Sequence, residues 1–338
     1  MENDGTEAEY PARHATALKW RGVITECNVL VVSGVRGRVT RRSLLLFIAM
    51  SVIWGISYLF IRIAVHDLSP VVLVFARATV GALILLPIVV ARGELRGLFK
   101  SWLPLLVFAA VEIGIPWVML SGAEQRITSS LAGLLVSAVP LVGVVIATSL
   151  GNREHLGGAS LAGLLLGIVG VAAIVGFDLR ASDWLALVQM AIVVVAYAVG
   201  PVIVSRYLSA LPSMAVIAVS LAACAIVYLP FAAVQRPTSM PPIAAVASVA
   251  VLAVVCTALA FVVFFALIAA IGPVRATVIT YINPAVAALL GVAVLRESFT
   301  VGMGVGFVLV IAGSVLATRR PRALAPAASL SPESQSSV

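Results

Sequence analysis

Residues 153–170 read REHLGGASLAGLLLGIVG, and residues 296–313 read RESFTVGMGVGFVLVIAG. Both stretches open on Arg-Glu. Gly163 and Gly170 follow Glu154 by 9 and 16 residues, and Gly306 and Gly313 follow Glu297 by the same two distances. Upstream, Pro140 and Pro284 precede their glutamates by 14 and 13 residues, so one gap aligns them. The starts of the two halves match more loosely, Trp54, Ser57 and Arg62 against Tyr197, Gly200 and Arg206. The chain therefore carries one unit twice.

Each copy contains five apolar runs of roughly 18 to 25 residues, the length that crosses about 30 Å of hydrocarbon as a helix. The first five are Leu44 to Ala64, Val71 to Ala91, Trp102 to Leu120, Ile127 to Leu150 and Gly157 to Phe177. The second five are Trp184 to Val204, Met214 to Val234, Ile243 to Ala270, Val274 to Leu295 and Val301 to Thr318. Short breaks with turn or charge signals separate them, such as Asp67-Leu68-Ser69-Pro70 and Gln235-Arg236-Pro237. An odd number of spans per copy turns the second copy upside down in the membrane. The expectation is an all-α integral membrane protein of ten transmembrane helices, built as two inverted five-helix repeats over 44–177 and 184–318. Residues 1–43 and 319–338 are expected as disordered cytoplasmic tails. The first is acidic then basic, without the apolar run of a signal peptide, and is open to a second reading as an extension from a misplaced start; the last is Pro/Ala/Ser-rich.

Composition agrees. The 338 residues are 62% hydrophobic and 11% charged, with a mean hydropathy of +1.15, where a soluble domain carries about 25% charged residues. The net charge of +8 does not gather into a nucleic-acid-binding patch; the basic residues sit between the apolar runs. With the N-terminus inside, about 16 arginines and lysines lie on the cytoplasmic side and about 4 outside (Arg126, Arg180, Arg236 and Arg296), so both termini are expected in the cytoplasm of a multi-pass cell-membrane protein. Cys27, Cys224 and Cys256 make no disulfide framework, and His14, His66 and His155 have no metal-ligand spacing. Neither Lys19 nor Lys100 ends a Gly-rich loop, so no ATP site, metal or other cofactor is expected.

The matching stretches resemble the EamA-type family of the drug/metabolite transporter superfamily. They are Trp54-Gly55-Ile56-Ser57, Leu68-Ser69-Pro70 with Ala76-Arg77, Ser129-Ser130-Leu131-Ala132 through Pro140, Glu154 through Gly170, Asn283 through Gly291, and Arg296-Glu297 through Gly313. The resemblance covers nearly all of Leu44 to Thr318. It implies two inverted five-helix repeats and export or exchange of small metabolites without ATP. The chain departs from the usual pattern at Glu112, where an uncharged residue is expected.

Several residues are candidates for the substrate cavity. Glu112 falls ten residues into the third run, near the midplane. It reads either as a proton-coupling carboxyl or as a structural one paired inside the bundle with Arg77. Arg77 reads as a fork for a substrate carboxylate or phosphate, or as half of an ion pair. Arg62, two residues from its span end, is expected to snorkel to the interface. Pro140 and Pro284, each mid-span, read as cavity kinks and hinges. Ser137, Thr280, Tyr281 and Asn283 beside them would orient a polar metabolite or bond neighbouring helices. Trp54, Ser57, Tyr58, Trp117 and Tyr197 complete the candidate walls. Gly163/Gly167 and Gly302/Gly306 fit packing of the fifth and tenth spans together, or a homodimer seam; the spacing does not choose. The expected function is secondary transport of a small organic metabolite or drug-like compound outward by alternating access, with the lipid bilayer, the substrate and a coupling proton as partners. An exchanger or facilitator without proton coupling is the alternative. An intramembrane enzyme or a membrane scaffold fits less well, because the sequence offers neither a catalytic constellation nor a soluble domain.

Overall fold

A computed structural model describes residues 40–149, 158–176, 184–276 and 278–318. The N-terminal tail through Val39, the C-terminal tail from Arg319, and the expected repeat marker Arg153-Glu154 lie outside the described residues. The chain divides into two units, 1–44 and 45–338; the contacts described below lie within the second.

The described residues form nine helices long and apolar enough to span a bilayer and one shorter apolar helix. They are α1 (Arg41–Ala64), α2 (Pro70–Ala91), α3 (Leu98–Ala123), α4 (Ser129–Ser149), α5 (Gly158–Val175), α6 (Trp184–Leu208), α7 (Ser213–Val234), α8 (Ile243–Ile271), α9 (Ile279–Leu295) and α10 (Val301–Thr318). Ten alternating spans leave the loops after odd-numbered helices on one face, here the odd-loop face, and those after even-numbered helices on the other.

Three helix starts on the odd-loop face are capped locally. Ser69 Oγ accepts from Val72 N before Pro70 opens α2, Thr128 Oγ1 accepts from Leu131 N at α4, and Thr300 Oγ1 accepts from Met303 N at α10. Boundaries differ from the apolar runs in several places; α1 starts at Arg41 and α6 runs on to Leu208, past Val204. α3 starts earlier and ends later than Trp102 to Leu120, because the flanking residues continue the helix. The ninth run, expected from Val274, is split into a short turn Pro273–Ala276 and α9 from Ile279.

Pairing between helices follows the duplication. α5 and α10 run antiparallel in backbone contact: a Cβ at Gly163 would strike Ala317 N and Gly313 O, and one at Gly170 would strike Val310 N (2.7 Å) and Gly306 O (2.8 Å). These glycines thus pack the two helices of one chain together. α5 and α10 are also the least buried of the nine longer spans, at the edge of the bundle. α2 packs on α7, α3 on α6 and α4 on α9. α1 meets α9 at Gly55, where an added Cβ would strike Val286 and stand 3.1 Å from Asn283 O.

Two large apolar cores result. One, nearer the odd-loop face, contains Tyr58, Leu120, Leu134, Met190 and Leu252. The other contains Leu85, Phe108, Trp117, Leu208 and Leu221. Tyr197 packs against both, so the seam between the cores passes through α6 at mid-membrane.

Candidate functional site

Charged and polar side chains collect at that seam. Two helices are wound there with wider π-helical turns, Ala109–Gly114 in α3 and Val251–Leu259 in α8, and a third such turn, Val204–Leu208, ends α6. Such turns loosen the backbone ladder and recur at functional sites. Laying Pro140 on Pro284 in the sequence lays Glu112 on Cys256 and Ile113 on Thr257, so the π turns of α3 and α8 occupy equivalent places in the two repeats.

Arg77 is the centre of the α2–α8 contact. Its side chain is buried, its Nε donates to Thr257 Oγ1 at 2.7 Å, and a terminal nitrogen donates to Cys256 O at 3.3 Å. The guanidinium carbon stands 3.8 Å from the centre of the Trp117 ring, a cation–π contact worth about 2 kcal/mol when desolvated. Thr257 Oγ1 in turn donates to Leu252 O within the π segment (2.8 Å). Two of the five guanidinium N–H groups are thus used, leaving three without a protein acceptor among the described residues. Tyr58, Tyr197 and Glu124 stand close enough to Arg77 to interact electrostatically.

Glu112 lies in the α3 π turn, where Ile115 N–H reaches back to Ala110 O. Its Oε2 is sealed from solvent and has no hydrogen-bond partner among the described residues. The carboxyl presses on Gly200 of α6, where a Cβ would fall on Oε2. Tyr197 is its electrostatic neighbour. The pairing of Glu112 with Arg77, one of the two readings of that carboxyl, is absent among the described residues: Arg77 faces α8 and Trp117 instead, where Thr257 and the Cys256 carbonyl accept from it.

The other candidates fall around this centre in different ways. Ser57 and Tyr58 are buried, with Ser57 Oγ turned to Ile53 O (3.4 Å). Trp54 packs on Phe264 and Phe261 of α8, ring centres 4.9 and 6.4 Å away, a packing contact. Ser137 returns its hydroxyl to Leu134 O (2.5 Å) at a break between Val136 and Val139, beside half-buried Pro140. Pro284 is buried in an unbroken α9, so the two prolines share a register without sharing a kink. Asn283, its amide nitrogen facing two carbonyls, donates to Ser51 O of α1 (3.1 Å) and Ile279 O (3.0 Å). Tyr281 is half-buried. Arg62 does not extend to the interface: its guanidinium donates to the backbone carbonyl of Glu124.

Two acidic residues at the odd-loop face carry no signal of this kind in the sequence. Glu297, seen there only as a repeat marker, accepts four hydrogen bonds from the start of α4. Its Oε1 takes Ser129 N (2.8 Å) and Oγ (2.9 Å), and its Oε2 takes Ser130 N (2.9 Å) and Oγ (2.6 Å). Arg296 makes this reach possible by adopting a left-handed conformation (φ 54°) as the cap of α9. Glu124, which reads as a loop residue, is fully buried and neither carboxyl oxygen has a partner among the described residues. The only hint was an acidic residue placed directly at a span end.

Comparison with known proteins agrees with the architecture. The sequence pattern of the EamA-like transporter family matches residues 41–176 and again 184–319. The chain is 28% identical over 286 residues to the "Uncharacterized inner membrane transporter YedA" of Escherichia coli K12, covering 81% of this chain and 92% of that one. The same figures hold for YedA of the O6:H1 and O157:H7 strains. A solved protein crystal structure superposes with a TM-score of 0.60 at 21% identity, over 82% of this chain and 96% of its own.

Proposed function

We propose, given that this chain belongs to the EamA-like transporter family, that it exports a small organic metabolite or drug-like compound across the cell membrane by alternating access. Membrane transport itself follows from the family; the cargo, direction and coupling are our reading. The observation that carries it is a pair of charged side chains in the seam between the two cores: Arg77, buried against the π turn of α8, and Glu112, half-buried in the π turn of α3 with its Oε2 sealed from solvent. Charge at mid-membrane is costly and is retained where substrates or ions pass. Spare guanidinium donors on Arg77 suit a cargo with an acceptor such as a carboxylate or carbonyl. Trp117, Tyr58 and Tyr197 would wall it.

Inverted repeats supply the motion. If the two copies exchange conformations, the cavity opens to the opposite side. Both termini are cytoplasmic in this reading, since the basic residues favour the even-loop face, and the odd-loop face is then external. Glu112 couples transport to protons: it loses a proton on one side and regains it on the other, in competition with substrate.

The test compares metabolites of medium and cytosol with and without overexpression, alongside Arg77→Ala. A compound should accumulate outside with the wild type and fall back with the variant. If no compound moves in response to wild-type expression, or the variant exports as well as the wild type, the reading fails. Transport that persists without a pH gradient and only against counter-substrate would favour an exchanger.

A further inference from the structure

We propose that Glu124 is a proton-binding site governing a latch, Glu297 on Ser129 and Ser130, that closes the odd-loop face. The proposal rests on the transport reading above and names a second protonation site within it.

The latch joins the two repeats. Glu297 belongs to the second and the α4 N-terminus to the first, and all four acceptor positions of the carboxylate that face α4 are filled by Ser129 and Ser130. Charge-assisted bonds of this kind are roughly twice as strong as neutral ones, and the helix N-terminus adds its own attraction for the anion. Gly291 allows the approach, since a Cβ there would strike Ser130 Oγ and Glu297 Oε2. Every one of these hydrogen bonds is accepted by the Glu297 carboxyl oxygens.

Glu124 has the opposite surroundings. It is fully buried and neither oxygen is bonded among the described residues. The charged and titratable groups facing it are Arg62 and Tyr58 from α1, Arg77 from α2, and Glu297 from the α9–α10 turn. Arg62 spends its donor on the Glu124 backbone carbonyl, not on the carboxyl. Burial first, and Glu297 second, push the carboxyl well above the usual carboxylate range against the opposing pull of Arg62 and Arg77. Arg62 and Glu297, two of the groups that face Glu124, also border an open pocket of about 380 Å³ together with His66, Asp67 and Leu295.

The sign follows. With the proton on, Glu124 is neutral and the Glu297 latch stays shut. As pH rises the proton leaves, and an unpaired buried anion stands beside Glu297. The repulsion is relieved when Glu297 leaves Ser129 and Ser130, which opens this face.

The test reads opening without substrate. Leu295→Cys, in a Cys27→Ser background of the purified full chain, is reacted with a maleimide across pH. Its rate is expressed relative to the same thiol in Glu297→Ala protein, which corrects for thiol ionisation and lacks all four latch bonds. Relative labelling should be low at acid pH and rise as pH rises, by about tenfold or more, the factor that losing one charge-assisted bond brings. Glu124→Gln should stay at the low level throughout. Arg62→Gln, which removes a charge favouring the anion, should move the rise to higher pH. A Glu124→Gln curve that follows the wild type overturns the proposal; should that variant fail to fold, an Arg62→Gln curve with no displacement overturns it. Because no flux is measured, failure here leaves the transport reading standing, and a failure to find exported cargo leaves the latch result standing.

Discussion

Glu112 and Gly200 show how one residue's identity depends on another's. A half-buried carboxyl with a sealed, unbonded Oε2 fits against α6 only because position 200 has no Cβ. Gly200→Ala should therefore overpack the site, costing about 1–3 kcal/mol and lowering the melting temperature of the purified protein. Truncating the opposing side chain in Glu112→Ala/Gly200→Ala should recover part of that loss; strict additivity of the two changes would show that they do not touch. Function gives a second prediction. Glu112→Gln keeps the shape and removes the titration, so proton-driven flux per folded molecule should collapse while counter-substrate exchange persists. Unchanged pH dependence of flux in this variant would remove Glu112 from coupling. At this scale the sequence already marks Arg77 and Glu112, since charge within an apolar run is conspicuous. It does not mark Glu124 or Glu297, because a carboxylate at a span end looks solvated until tertiary packing covers it.

Among the helices, the α5–α10 pair gives the sharpest contrast. A Cβ at Gly163 would meet backbone atoms of Ala317 and Gly313, and backbone cannot rotate away. Gly163→Ala should destabilise by about 1–3 kcal/mol. Gly143→Ala, where a Cβ meets nothing within 4 Å, should be neutral or stabilising by up to about 1 kcal/mol, the helix propensity difference. Thermal unfolding in detergent checks both, and equal effects would contradict the packing described. The prolines show where pattern stops short of structure. Pro140 and Pro284 align in sequence, yet α4 breaks before Pro140 while α9 continues through Pro284 and is interrupted earlier, before Ile279. A proline removes one donor in either case, and the neighbours decide where the chain bends: Ser137 takes up Leu134 O at one break, and Asn283 ties α9 to α1 at the other.

For the molecule as a whole, inversion is the organising fact. Two copies with five spans each must face opposite ways, and the antiparallel α5–α10 contact and the matched π turns of α3 and α8 are its consequences. Orientation in the membrane comes from the basic residues. Reporter fusions after Arg92 and Arg206 should read cytoplasmic, and one after Asp178 external. An external signal at Arg92 would reverse the assignment and move the Glu297 latch to the cytoplasmic side.

The amino-acid sequence alone determined the solvent, the number of spans, the duplication and its inversion. Each of these depends on local composition, run length or counting, and none requires knowing which helix touches which. The tertiary structure decided the partners. It turned Arg77 to Thr257 and Trp117 instead of Glu112, set Glu112 on Gly200, buried Glu124, and brought Glu297 across the repeat boundary to Ser129 and Ser130. Those contacts join residues far apart in the chain, and their energies depend on burial and direction, which exist only once the helices have packed.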